Sequence, residues 1–214
     1  LKVGVLLPRS GALAFIGQSC QRGADISPPL LKEMYGVDVE LMNADIESNV
    51  DVARSRAEKL IDEGAQLLMG AFDSGPTAAI AQVAEQRKVP LVVNIAAAPQ
   101  LTEQGYKYTF RNFTSAAELI RNGLALTRDV FQATKAAPRS AVFLHVNDTF
   151  GVSMAKGIAA ILPTLTYLPF KIVETIAYDR DARDLSVEVT KAKATNADFI
   201  LLVSRLNDAV LLVR

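Results

Sequence analysis

The chain has 214 residues, half of them hydrophobic and 21% charged, an ordinary globular composition with length enough for one large domain or two smaller ones. Lys and Arg together number 23, as do Asp and Glu, so the formal net charge is zero. No basic field gathers a phosphate backbone and no cationic tail anchors the chain to a membrane surface, which speaks against nucleic-acid and membrane-surface roles. No apolar run reaches the length of a transmembrane helix, and a single cysteine, Cys20, excludes an internal disulfide and a thiolate metal cluster.

In chain order, Val3-Gly4-Val5-Leu6-Leu7 is a continuous apolar run of the kind found in strands covered on both faces. Val37 to Met42 alternates and predicts a strand nearer an edge. Leu67-Leu68-Met69, Pro90 to Val93 and, more weakly, Thr109-Phe110-Arg111 predict three more strands. Between these, Ala53, Ala57, Leu60 and Ile61, then Ile80, Val83 and Ala84, recur at helical spacing. A long helix is expected from Ala116 to the turn-rich Ala136-Ala137-Pro138-Arg139. A fresh βαβαβ pattern starts at Ala141 to Val146, continues through a helix carrying Val152, Ala155, Ile158, Ala159 and Leu162, and reaches Phe199 to Val203. Alternating strands and helices imply right-handed crossovers and mostly parallel sheets. The expectation is an α/β protein of two lobes, residues 1–115 and 116–214, with the boundary near 112–118. Leu206 to Arg214 reads as the opening turns of a helix, and about three strands are few for the second lobe, so a fragment is expected. The start at Leu1 suits a mature chain whose export signal has been removed, or a trimmed sequence.

Ligands of open parallel sheets bind beyond the carboxyl ends of the strands, so the segments after each strand are the candidates. After the first lies Pro8 to Gln18, small residues around one bulky Phe15; its plain reading is a βα connection. After the third lies Gly70 to Thr77. Its glycines have phosphate-loop spacing, and Pro76 and Thr77 stand where that loop needs Lys and then Ser or Thr; without the lysine the nucleotide reading fails. What remains is a helix start, with Ser74 or Gly75 as N-cap, that offers N–H groups to a carboxylate. After the fourth, Asn94 and Ala96-Ala97-Ala98 give a polar handle beside small residues that let a solute approach the backbone; the alternative is a tight packing loop. In the second lobe, Asn147 to Gly151 places Phe150 at a strand's mouth, and Ser204 to Asp208 places Arg205, either a carboxylate partner or a solvated surface arginine.

Catalytic signals are weak. His145 lies within an apolar strand and reads as a packed residue, Cys20 is placed at the start of the first helix with no histidine partner in the pattern, and no metal-ligand set or cofactor motif stands out.

Taken together, these loops resemble the leucine/isoleucine/valine-binding family of type I periplasmic solute-binding proteins, which deliver ligands to ATP-driven importers. The matching segments are Val3 to Pro8 with Ser10-Gly11 and Gly17-Gln18, Asp45, Gly70 through Ser74, and Val83-Ala84-Glu85 through Val89-Pro90-Leu91-Val92. They continue with Ala96 to Thr102, Phe110-Arg111, Phe150-Gly151 and Asp198-Phe199. The resemblance implies two Rossmann-like lobes that close as a clamshell on a solute, without turnover and without a cofactor. It also implies an importer permease as partner and an extracytoplasmic location, in the periplasm or on a lipid anchor. It implies that Ser74 and the loop at Ala96-Ala97 hold the solute's carboxylate, that Phe150 packs against the solute, and that the Arg205 loop faces it. Amino-acid binders of the family carry a hydroxyl residue where Ala97 stands, and commonly Tyr where Phe150 stands. Loss of both hydroxyls, with Arg205 as an added anion partner, points to a carboxylate lacking an α-amino group, such as an aromatic acid. Two other readings are a cytosolic or receptor-borne amide or amino-acid sensor of the same fold, and an α/β enzyme using Cys20 or His145.

Overall fold

The computed structural model describes residues 1–213 and contains two compact units, Leu1–Thr114 and one beginning at Ser115. The first unit holds β1 (Lys2–Leu7), α1 (Ala14–Asp25), α2 (Ser27–Tyr35), β2 (Glu40–Asp45), α3 (Val50–Asp62), β3 (Leu67–Gly70), α4 (Ser74–Arg87), β4 (Leu91–Val93), α5 (Gln100–Glu103) and β5 (Thr109–Arg111). All pairings are parallel, in the order β2-β1-β3-β4-β5.

The unbroken apolar run of β1 follows from its place inside this sheet. Leu6 packs on one face with Leu68, Leu91 and Val93 against Ala53, Ala57 and Leu60 of α3 and Ile80, Val83 and Ala84 of α4. Val3, Val5 and Leu7 face the other way, toward Ala24 and Cys20 of α1. Each such fully buried aliphatic side chain contributes roughly 1.5–3 kcal/mol.

The second strand corrects the expectation. It runs from Glu40 to Asp45 and not from Val37 to Met42, because its parallel register pairs Glu40 with Lys2 and Asp45 with Leu7. In that register residues 37–39 have no partner in β1, and Val37 is 41% exposed.

The second unit holds α6 (Ala116–Thr134), β6 (Ser140–Val146), α7 (Thr149–Ile161), β7 (Lys171–Tyr178), α8 (Ser186–Ala194), β8 (Phe199–Val203) and α9 (Leu206–Val213); Arg214 lies outside the described residues. A capping box between Ser115 and Glu118 opens α6. Its far end contributes Phe131, whose ring meets Phe199 at 5.3 Å and Phe170 at 6.1 Å, edge to face. The three strands are parallel in the order β7-β6-β8. Central β6 is buried on both faces: Val142, Leu144 and Val146 pack with Ile176, Tyr178, Leu185 and Ala192, while Phe143 stacks on His145 at 5.4 Å.

The register brings the strand ends together within each unit. Leu7 lies beside Asp45 and Leu6 beside Gly70. Val146 lies beside Tyr178, and His145 beside Val203. The post-strand loops of each sheet therefore start side by side.

Candidate functional site

In the first unit the backbone of β3 ends on Gly70 at φ +141°, where a side chain would place its Cβ 2.2 Å from the Leu6 carbonyl oxygen; only glycine fits there. The chain then turns through Ala71 to Asp73 into α4. Asp73 occupies the N-cap position, with Ser74 the first helical residue, so the expectation of Ser74 or Gly75 as cap is corrected by one residue. The shift has a reason: the Asp73 carbonyl accepts from both the Thr77 N–H at 3.0 Å and the Thr77 hydroxyl at 2.6 Å, which fixes where the first turn closes.

Freed from capping, the Ser74 hydroxyl turns to the neighbouring loop, where it accepts the Ala98 N–H at 3.4 Å. Ser74, Ala96, Ala97 and Ala98 are all buried. From the end of β5, the Arg111 guanidinium donates to the Ala98 carbonyl at 3.0 Å and the Ala97 carbonyl at 3.3 Å, bracing the loop from below. The Asn94 side-chain oxygen is buried with no hydrogen-bond partner among the described residues, an acceptor that a solute N–H or O–H would complete. Ser74, Asn94, Ala96 and Ala97 thus gather in two adjoining loops at the start of α4, where N–H groups without intrahelical partners favour negative charge.

Phe15 follows the loop after β1, in the first turn of α1, and is 71% exposed. The loop before it is firmly held. Asp45 accepts the N–H groups of Arg9, Ser10 and Glu47 at 2.9 to 3.2 Å. The Ser48 hydroxyl accepts the Leu13 N–H and donates to the Ser10 carbonyl.

In the second unit, Asp148 caps α7 by accepting the Gly151 N–H at 2.9 Å. A Cβ at Gly151 would sit 1.8 Å from the Val146 carbonyl oxygen, so the close seat of the helix against β6 demands glycine. The other Asp148 oxygen forms an ion pair with Arg205 at 2.6 Å, and the two side chains are only 15% and 8% exposed. The Arg205 guanidinium lies over the Phe150 ring, 5.3 Å from its centroid, within cation–π range. Arg205 is therefore neither a solvated surface residue nor an uncompensated cation. Its backbone N–H donates to Asp208 at 2.9 Å. The second Asp208 oxygen accepts the Tyr178 hydroxyl at 2.6 Å. Burial, reinforced by the adjacent Asp208 carboxylate, raises the Tyr178 pKa far above its ordinary value, so this hydroxyl stays protonated and acts as a donor.

The proposed catalytic groups are placed in structural settings. His145 is buried in β6 with Nδ1 3.0 Å from the Val146 carbonyl oxygen. Cys20 lies inside α1, not at its start, and burial raises its thiol pKa, the opposite of activation. Among the described residues no group of His, Cys, Asp or Glu is arranged to hold a metal ion. No described helix is long and apolar enough to cross a membrane. An apolar cavity of about 650 Å³ in the second unit is lined by Phe143, Ile158, Leu162, Phe170 and Ile172. It reaches the start of β7, away from the post-strand loops.

Three residues that organise these loops escape a reading by loop composition. Asp148 was accessible through its N-cap position before an apolar helix, and Asp208 as an acid in the first turn of α9. Tyr178 gave no local signal, since its partner lies 30 residues away.

The chain matches the family model described as periplasmic binding protein over residues 1–214. It is 27% identical over 226 residues to "Leu/Ile/Val-binding protein homolog 7" of Brucella abortus, covering all of this chain and 54% of that protein. Its fold is similar to that of an extracellular ligand-binding receptor from Rhodopseudomonas palustris HaA2. That likeness has a TM-score of 0.83 at 23% identity and covers 99% of this chain and 56% of the other. A solute-binding protein of an R. palustris ABC transporter, solved with 4-hydroxybenzoate, superposes with a TM-score of 0.78 at 22% identity, covering 94% of this chain and 53% of that one. The chain thus spans about half the length of the relatives it matches. With parallel sheets in both units, loops gathered at the strands' carboxyl ends and a family match along its whole length, the chain belongs to the periplasmic binding protein family.

Proposed function

We propose that this protein is the extracytoplasmic substrate-binding component of an ABC importer, taking up a small solute with one carboxylate and an apolar, aromatic body. The observation that carries the reading is the contact of Ser74 with the Ala96–Ala98 loop at the start of α4. It sets a hydroxyl and backbone N–H groups around a position where negative charge is favoured. Ala97 and Phe150 put hydrocarbon where the family's amino-acid binders carry hydroxyls, which removes partners for an α-ammonium group and suits an aromatic ring. Phe15, Asn94, Phe150 and Arg205 complete the set of solute-facing residues. Binding proceeds without chemical change to the solute. A solute that engages the loops of both units couples them and favours the state that a permease recognises.

The test is a thermal-shift screen followed by calorimetry with benzoate, 4-hydroxybenzoate, leucine and valine. A ligand bound only by the native state raises the melting temperature by mass action. Aromatic acids are expected to raise it, and to be recovered unchanged after incubation. A response to leucine or valine alone would keep the transport role and overturn the choice of solute.

A further inference from the structure

We infer that Asp148 sets the charge selectivity of the second unit's loops: by engaging Arg205 it keeps that guanidinium from receiving a solute carboxylate, so these loops accept only the uncharged part of a monocarboxylate. The inference deepens the proposed function and rests on the reading that Phe150 and Arg205 meet the solute.

An arginine beside an aromatic ring at a sheet's carboxyl edge would ordinarily recruit an anion through its fork of donors. Here the fork already faces a carboxylate at 2.6 Å, with both side chains mostly removed from solvent. Asp148 cannot swing aside easily. Its second oxygen holds the Gly151 N–H at 2.9 Å, and Gly151 is seated so near the Val146 carbonyl that a Cβ there would lie 1.8 Å from its oxygen. Nearby, Asp208 adds a second carboxylate, tied to the Arg205 N–H and the Tyr178 hydroxyl. Asp148 thus occupies the guanidinium, while Asp208 brings a second negative charge to the backbone of the same residue. A further anion arriving from a solute meets repulsion in a setting where little water screens it. What remains for the solute is the Phe150 ring, stiffened by the cation on its face.

The experiment compares benzoate with terephthalate, which differs by one added carboxylate, in calorimetric titrations of the wild-type protein and Asp148→Asn. Asparagine keeps an N-cap acceptor for Gly151 while removing the charge; Asp148→Ser, which also caps, serves if the first variant fails to fold. Wild type is expected to bind benzoate and discriminate strongly against terephthalate. The variant is expected to narrow that ratio by about tenfold or more, chiefly through a gain in terephthalate binding. A folded variant that binds benzoate as wild type does and leaves the ratio unchanged overturns the role of Asp148 and leaves the proposed function intact. Wild type that binds terephthalate as well as benzoate also overturns it. Wild type that binds neither aromatic acid sinks the proposed solute, and this inference with it.

Discussion

At the carboxyl edge of the first unit, the groups on offer are backbone N–H, a serine hydroxyl and three buried alanines, braced by Arg111 through the carbonyls of Ala97 and Ala98. At the same edge of the second unit they are an aromatic ring and a guanidinium paired with Asp148, on a residue whose backbone N–H is held by Asp208. The first arrangement attracts negative charge with dipoles and, among the described residues, carries no buried ion pair between its loops. The second contains full charges, which are paired among themselves in the folded unit. Polarity is thus an outward property in one unit and an internal one in the other, and stability and recognition should separate accordingly.

The sharpest challenge to this contrast is Asp148→Ala. It removes one partner of a buried pair and a helix cap together, with an expected loss of about 3–5 kcal/mol in chemical denaturation. Adding Arg205→Leu should restore much of it, because the uncompensated charge is then gone. If the single variant unfolds like wild type, the pair is not internal in the sense argued.

Next in size, Arg111→Met leaves two buried carbonyls short of a donor, with an expected cost of about 1–3 kcal/mol and weaker benzoate binding. Lysine at this position should rescue only in part, since it lacks the fork that reaches both oxygens.

Ser74→Ala divides the two properties most cleanly. Its bond to Ala98 is at the long limit, so stability should fall by less than about 1 kcal/mol, while benzoate affinity should fall by about tenfold. Equal losses in melting temperature and affinity would make Ser74 a packing residue.

The smallest effect tests where the units behave alike. Burial would raise the Asp45 pKa, but hydrogen bonds from the backbone of Glu47, from Ser10 and from Arg9 outweigh it, and the folded value lies below 3.8. Its contribution is therefore present above the unfolded value and is lost as pH falls through the folded one. Asp198 follows the same sign, through the N–H groups of Arg139 and Ser140 and the Ser140 hydroxyl. Asp45→Asn should flatten the acid limb of the stability profile and cost about 1 kcal/mol or less at neutral pH.

The strands were legible where burial on both faces leaves an uninterrupted apolar run, as in β1 and β6. Legibility failed where pairing and not composition decides the boundary. The alternation at Val37 to Met42 is real, yet the register with β1 draws the strand onward through polar Asn43 and Asp45. Similarly, β7 carries Lys171, Glu174 and Thr175 on an exposed edge and shows no clear alternation. Among the site residues, loop position and small size pointed to Ser74 and the alanines. The environment of Arg205 was hidden, because its partner Asp148 is 57 positions earlier and only the sheet order sets the two side by side.

The Tyr178–Asp208 bond links the end of one outer strand to the helix that follows the other, passing the end of β6. Three segments that could fluctuate separately are thereby tied into one cooperative unit. Their ordering is settled at folding, so an arriving solute has little motion to quench there, and the hydrogen-bonded amide protons of Asn147, Gly151 and Arg205 should exchange slowly before any solute is present.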